Sequence, residues 1–241
     1  MYLWISYLRG GIEMQSNKDG QKVMSWYSHR SHCVEDELTF WKNLSSGKKT
    51  DHYYLGDVEF CKNLRIYEID KHIKPFQQLE RMSMLDLGSG PASVLSNYAT
   101  DKISVIPVDV LAHEYMQISV AENLIRPIAV AGEKLSEFFP DEYFHVVFTS
   151  NALDHMTHPW HVVQNCFHIL KEGGVFCIRS FVREADRQKY SGLHQHNLVL
   201  TTDGVIEENT RINLTEGTSF EMIESVEYSD HESFMAIFVK Q

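Results

Sequence analysis

From residue 82 onward the chain alternates short apolar runs with amphipathic segments, and this alternation leaves it few folds. The apolar runs are MSMLDL (82–87), ISVIPVDV (103–110), PIAVAG (127–132), YFHVVFTS (143–150) and GVFCIRSFV (174–182). Between them lie PASVLSNYA, HEYMQISVAENL, EKLSEFF and HVVQNCFHILKEGG. Strands that are apolar along their whole length are buried on both faces, which predicts a parallel sheet with helices on either side. The last two runs, FEMIESVEYS (220–229) and ESFMAIFVKQ (232–241), are separated by a turn too short for a parallel crossover. They must pair antiparallel. The prediction is an α/β fold: a seven-stranded, mostly parallel sheet ending in an antiparallel C-terminal hairpin. Within 183–218 only TTDGVIEE is readable, where Asp203-Gly204 is a turn signal for a small hairpin.

Before residue 82 the pattern differs. Aromatic and charged residues recur at helical spacing in VEDELTFWKNL (34–44) and VEFCKNLRIYEIDKHI (58–73), with the polar loop SSGKKTDH between them. Two segments follow: an N-terminal helical lid or extension over 1–80, and an α/β domain over 81–241. The apolar opening MYLWISYL lacks a basic leader and a cleavage site, and it is too short to span a bilayer. Met14 is an alternative start to Met1. A formal net charge of −11, with no Lys/Arg-rich run, argues against a nucleic-acid partner, because cations are needed to displace phosphate counterions. The four cysteines form no CxxC pair, so free thiols in a reducing cytoplasm are expected. No membrane partner is expected, and nothing in the sequence distinguishes a monomer from a homodimer.

MLDLGSGPASVL (84–95) puts a GxG turn after the first strand and before a predicted helix. Glycines permit the tight turn and let a ligand approach the backbone closely. Three further signals stand at strand ends: Asp109 at the end of the second, Gly132-Glu133 at the end of the third, and Asn151 after the fourth. Carboxyl ends of parallel strands form the ligand-binding edge of such sheets, and an acidic residue about twenty positions past the glycines can accept ribose hydroxyls. The pattern predicts a nucleoside-containing ligand, either NAD(P) or S-adenosylmethionine. Ser93 stands where a dinucleotide fingerprint has its third glycine, and the antiparallel hairpin is a second mark against NAD(P).

On these residues, together with SNALDH (150–155) and the LKEGG turn (170–174), the chain resembles the class I S-adenosylmethionine-dependent methyltransferases over roughly residues 80–241. Glu172 stands where the usual form of that last turn has proline. The resemblance implies a Rossmann-like domain and S-adenosylmethionine as cofactor. Gly88 and Gly90 would pass the methionyl part, and Asp86 would help to hold its amino group, directly or through water. Asp109 would hold the ribose hydroxyls, Gly132 and Glu133 would flank the adenine, and Asn151 and Ala152 would lie near the sulfonium. The implied activity is methyl transfer to O or N of a small polar or anionic metabolite. The alternatives are an NAD(P)-dependent oxidoreductase and a catalytically inactive methyltransferase-like binding module. The Asn-Ala-Leu-Asp sequence departs from the Asn/Asp-Pro-Pro-aromatic motif of nucleobase amino-methylation, and no cysteine stands at a turn suited to cytosine attack.

Methyl transfer mainly requires proximity and orientation, but a hydroxyl or amine acceptor also loses a proton. Histidine is the usual base. Among thirteen histidines, His155 and His194 are the catalytic candidates. Tyr27, Arg30, His155, His194 and His196 are the candidate acceptor contacts, with His32 and Trp41 beside them on the predicted lid. Thr157-His158-Pro159 reads as a helix start with proline at its first position. His-x-His at 194/196 with His155 or Asp154 has the donors for a zinc or iron site, but no further carboxylate–histidine pair fixes a geometry, so no metal is expected.

Overall fold

The computed structural model describes residues 20–46, 61, 66–229 and 232–241, with the side chains of 20–32 outside that description. Met82–Leu87 (β1), Ile103–Asp109 (β2), Ile128–Ala129 (β3), Phe144–Ser150 (β4) and Leu170–Phe181 (β5) pair in parallel. Leu198–Thr201 (β6), Gly204–Glu207 (β7) and Ile212–Asn213 (β8) form a separate three-stranded antiparallel sheet. Phe220–Tyr228 (β9) and Ser233–Lys240 (β10) complete the main sheet, whose order is β3-β2-β1-β4-β5-β10-β9. Among the described residues, α-helices run over Gly20–Ser45 (α1), Tyr67–Ile73 (α2), Leu135–Phe138 (α3), Pro159–Ile169 (α4) and Glu184–Arg187 (α5).

The two faces of the sheet carry separate cores, as the period-two geometry of strands requires. Leu85, Leu87, Val147, Phe176 and Ile178 face α4, through Val162, Val163, Cys166 and Ile169, and the small sheet, through Leu198 and Val205. Met82, Met84, Val146, Phe148, Val175 and Cys177 face the other way, onto Ile69 and Ile73 of α2 and onto Leu95 and Tyr98. All four cysteines are buried thiols.

Two connections depart from the expected helices. PASVLSNYA and HEYMQISVAENL contain only the short 3₁₀ turns Ser96–Tyr98 and Glu114–Gln117. In the first, serine hydroxyls capture backbone groups that a helix would need: Ser93 Oγ accepts the Leu95 N–H, and Ser96 Oγ donates to the Ser93 carbonyl and accepts the Ile125 N–H. In the second, the Arg126 guanidinium binds the Tyr115 and Ile118 carbonyls and pins the loop. The small hairpin turns one residue earlier than expected. Thr201 pairs with Gly204, so Thr202-Asp203 make the turn. Glycine is favoured at 204 by its φ of +142°, and a Cβ there would also stand 2.9 Å from the Asn213 amide oxygen. LKEGG lies inside β5 as an irregularity, where pairing with β4 jumps from Phe144/Leu170 to Val146/Val175.

Candidate functional site

The glycine turn leaves β1 with Gly88 at φ +69° and Gly90 at φ +63°, a left-handed backbone that favours glycine. It is hooked onto β2, since Gly88 and Ser89 both donate N–H bonds to the Val108 carbonyl. Both glycines also permit close packing. A Cβ on Gly88 would stand 2.3 Å from the Ala152 Cβ, and one on Gly90 would stand 2.6 Å from the Trp41 ring. The turn is therefore held between the exit of β4 and helix α1.

Asp109, at the end of β2, braces the same turn. Its Oδ2 accepts the Gly90 N–H at 2.9 Å and its Oδ1 accepts the Leu111 N–H at 2.8 Å. One lone pair remains on each oxygen, so the carboxylate can still accept two donors. Burial pushes this carboxyl up to about 7, against the pull of its two N–H bonds and with help from the charges of Glu37 and Asp86. Asp109 nonetheless keeps an accessible edge. Asp86 sits deeper, 2% exposed, and accepts the Ser93 hydroxyl at 2.6 Å. Burial raises it to about 6 despite bonds from Ser93, Val94 and Leu95. Asp86 thus supports the turn from beneath.

Gly132 and Glu133 lie on a 3₁₀ turn after β3. Glu133 Oε1 accepts the Thr157 N–H at 2.9 Å and the His158 N–H at 3.4 Å. It places a carboxylate at the start of α4, where the helix dipole favours one. Pro159 opens that helix, as the sequence indicates. Asn151 has φ +50°, and its Oδ1 accepts the Phe181 N–H. It therefore locks the end of β4 to β5 and points the following Ala152 at Gly88. Met156, unremarked in the sequence, spans two glycines: its Cε and Sδ lie 3.7 and 3.0 Å from where Cβ atoms would stand on Gly88 and Gly132.

Immediately after Ala152 the 3₁₀ turn Leu153–His155 carries the acceptor-side candidates. His194 Nδ1 lies 2.7 Å from Asp154 Oδ2, and His155 Nε2 lies 3.0 Å from His194 Nδ1. Burial pulls His194 down, but the hydrogen bond and charge of Asp154 outweigh it and leave the imidazole raised. His155 and His194 are therefore brought together, with Asp154 as a third member that sequence reasoning did not single out as catalytic. Forty residues separate Asp154 from His194, so only the fold reveals the pairing. His196 does not join them. Its Nε2 meets the Met156 carbonyl at 2.9 Å and its Nδ1 approaches Glu207. It lines a separate cleft of about 460 Å³ with Trp160, His161 and Ile212.

Helix α1 crosses this edge. Val34, Leu38 and Trp41 pack with Leu111, Tyr115, Ile118 and Leu193, so one helix touches both the β2 exit and the residue beside His194. Glu37 accepts the Trp41 indole N–H at 2.6 Å and the Tyr115 hydroxyl at 3.3 Å. Burial drives the Tyr115 hydroxyl well above its ordinary value, with Asp109 and Glu37 adding to the rise. Tyr27, Arg30 and His32 fall in the first half of α1, where side chains lie outside the described residues.

Residues 85–178 match the family model for a methyltransferase domain. No curated protein matches the chain. Among solved structures, the chain is similar to a Galdieria sulphuraria protein provisionally named a sarcosine dimethylglycine methyltransferase. The two share 15% identity with a TM-score of 0.54, over 86% of this chain and 98% of that one. It is also similar to the [4+2]-cyclase SpnF, at 12% identity and a TM-score of 0.53, over 88% and 96% of the respective chains. An S-adenosylmethionine-dependent methyltransferase from Archaeoglobus fulgidus gives 14% identity and a TM-score of 0.49, over 76% of this chain and 95% of that one. At such identities the structural likenesses concern the fold. The domain match covers the glycine turn, Asp109, Glu133 and the β4 exit, and it displaces the NAD(P) reading. Residues 85–178 thus carry a methyltransferase domain on a Rossmann-like methyltransferase sheet, which supports the class I S-adenosylmethionine-dependent superfamily and implies S-adenosylmethionine as cofactor.

Proposed function

We propose that this protein transfers the methyl group of S-adenosylmethionine to an oxygen or nitrogen of a small polar or anionic molecule. The cofactor supplies the electrophilic methyl group. The chain's own residues bind, orient and shield. Asp109 uses its two remaining lone pairs for the ribose hydroxyls, Gly88 and Gly90 let the methionyl part approach, Gly132 and Glu133 border the adenine, and Asn151 positions Ala152 near the sulfonium. Within the N-terminal segment α1 acts as the lid, laid over the turn through Trp41. The observation that carries the reading is the contact of Ala152 with the Gly88 turn, because it sets the Asp154-His155 pair immediately beyond the cofactor edge. There His155 and His194, oriented by Asp154, can take up the acceptor's proton. A net charge of −11 supports a small acceptor over a nucleic acid.

Calorimetric titration with S-adenosylhomocysteine tests the cofactor site. The wild type is expected to bind and Asp109→Ala to lose binding while keeping its cooperative thermal transition. Equal affinity in the two proteins would overturn the ribose assignment. Release of S-adenosylhomocysteine with a panel of small acids, phenols and amines then tests turnover. Binding with no turnover on any acceptor would favour the non-catalytic module.

A further inference from the structure

Asp154, His155 and His194 hold three metal-competent atoms within 4.8 Å of one another. The edges of the triangle are 2.7 Å (His194 Nδ1 to Asp154 Oδ2), 3.0 Å (His155 Nε2 to His194 Nδ1) and 3.5 Å (His155 Nε2 to Asp154 Oδ2). Hydrogen bonds alone account poorly for this arrangement. An imidazole nitrogen has one in-plane position, filled by a proton or by a lone pair. His194 Nδ1 therefore cannot direct a full bond at both of its neighbours. The other Asp154 oxygen, Oδ1, is buried without a hydrogen-bond partner among the described residues, on a side chain only 1% exposed. A cation answers the first problem, since it can receive all three facing atoms at once, and its charge balances a carboxylate that is buried with one oxygen unpartnered.

We propose that Asp154, His155 and His194 bind a divalent transition-metal ion of the zinc type. Two imidazoles and one carboxylate form a borderline donor set that suits zinc, cobalt or ferrous iron better than magnesium. A triangle of these dimensions can be capped by an ion with bonds of about 2.0–2.2 Å. The ligands are held before any ion arrives. The Asp154 carbonyl accepts the Gln195 N–H at 2.9 Å, and the Gln195 amide donates to the His155 carbonyl at 3.2 Å, so the 193–196 segment is clamped against the 3₁₀ turn. Glu184 and Glu37 add negative potential at His194. Three protein ligands leave a position open, the arrangement of catalytic rather than structural zinc. Ion binding rests on this geometry alone. Its use rests on the methyl-transfer reading: the open position would hold the acceptor's oxygen while its proton passes to solvent water, in place of the imidazoles, and that oxygen would then bond to the methyl group as the methyl–sulfur bond of the cofactor breaks.

Chelator-treated full-length protein titrated with Co²⁺ tests the site through the visible absorption of the bound ion. One equivalent is expected to give the intense bands of a low-coordinate site, and Zn²⁺ to abolish them. Asp154→Asn, His155→Gln and His194→Gln should each weaken binding by about tenfold or more. S-adenosylhomocysteine titration of the same samples identifies folded variants and keeps the two readings separable. A wild type that binds S-adenosylhomocysteine but no Co²⁺ overturns the metal site. So does a folded His155→Gln/His194→Gln variant that gives the wild-type spectrum. Co²⁺ binding that is lost in variants keeping the wild-type cooperative thermal transition upholds the site even if S-adenosylhomocysteine fails to bind.

Discussion

Asp109 shows how one residue serves two demands that pull against each other. It braces the glycine turn as a carboxylate acceptor, yet burial lifts its pKa from 3.8 to about 7, with Glu37, Asp86 and Tyr115 crowding the same space. Between those pH values the folded chain retains a proton that the unfolded chain has released. Stability therefore falls as pH rises through this window and levels off above it. The slope is up to about 1.4 kcal/mol per pH unit, reduced to the extent that the accessible edge of Asp109 is solvated. Asp109→Asn should flatten that decline, leaving the part up to about 6 that belongs to Asp86. Denaturant melts of both proteins across the range check this, and an unchanged difference in midpoint would refute it. At this scale the sequence was legible where spacing along the chain carries the signal: Gly88, Gly90, Asp109 and Glu133 each stand at a strand end. It was silent on Asp154 with His194 and on Glu37 with Tyr115, because those contacts join segments that no local pattern relates.

Among the elements, α2 shows how a short helix is kept in place. Seven residues are too few for a helix to persist alone, so its stability comes from what it touches. The Tyr98 hydroxyl accepts the Ile66 N–H and lies 2.9 Å from the Ile66 carbonyl and 2.8 Å from Asp70 Oδ1. At the other end Lys71 and His72 meet Glu224 on β9, and the Lys71 hydrogen bond leads in holding that carboxyl below its ordinary value. Tyr98→Phe leaves the Ile66 backbone without its buried partner, and a loss of about 1–2 kcal/mol is expected in denaturant unfolding. No measurable change would show that water replaces the hydroxyl. The strands were readable because full burial makes them continuously apolar. The connections on either side of β2 depart from their helical pattern because amphipathic spacing says nothing about serine hydroxyls or an arginine that divert backbone groups into 3₁₀ turns. The small sheet β6-β7-β8 was only partly visible, since its strands are two to four residues long.

Taken whole, the molecule is strongly acidic, with a formal charge of −11. S-adenosylmethionine carries a sulfonium and is cationic overall, whereas S-adenosylhomocysteine is neutral, so the protein's field favours arrival of the substrate form over retention of the product form. Raising the ionic strength should weaken binding of S-adenosylmethionine more than that of S-adenosylhomocysteine. Parallel titrations at low and high salt measure the difference, and equal salt dependence would count against the effect. Among the described residues no helix is long and apolar enough to cross a membrane. The placement of β10 between β5 and β9 has a consequence for how the chain reaches this form. During synthesis β1, β2, β4 and β5 emerge and can pair while the free edge of β5, along Val175 to Phe181, waits for residues 233–239. Until they arrive, a nascent chain presents an apolar strand edge open to any passing partner, which makes the interval between β5 and β10 its period of greatest exposure to aggregation and to chaperones.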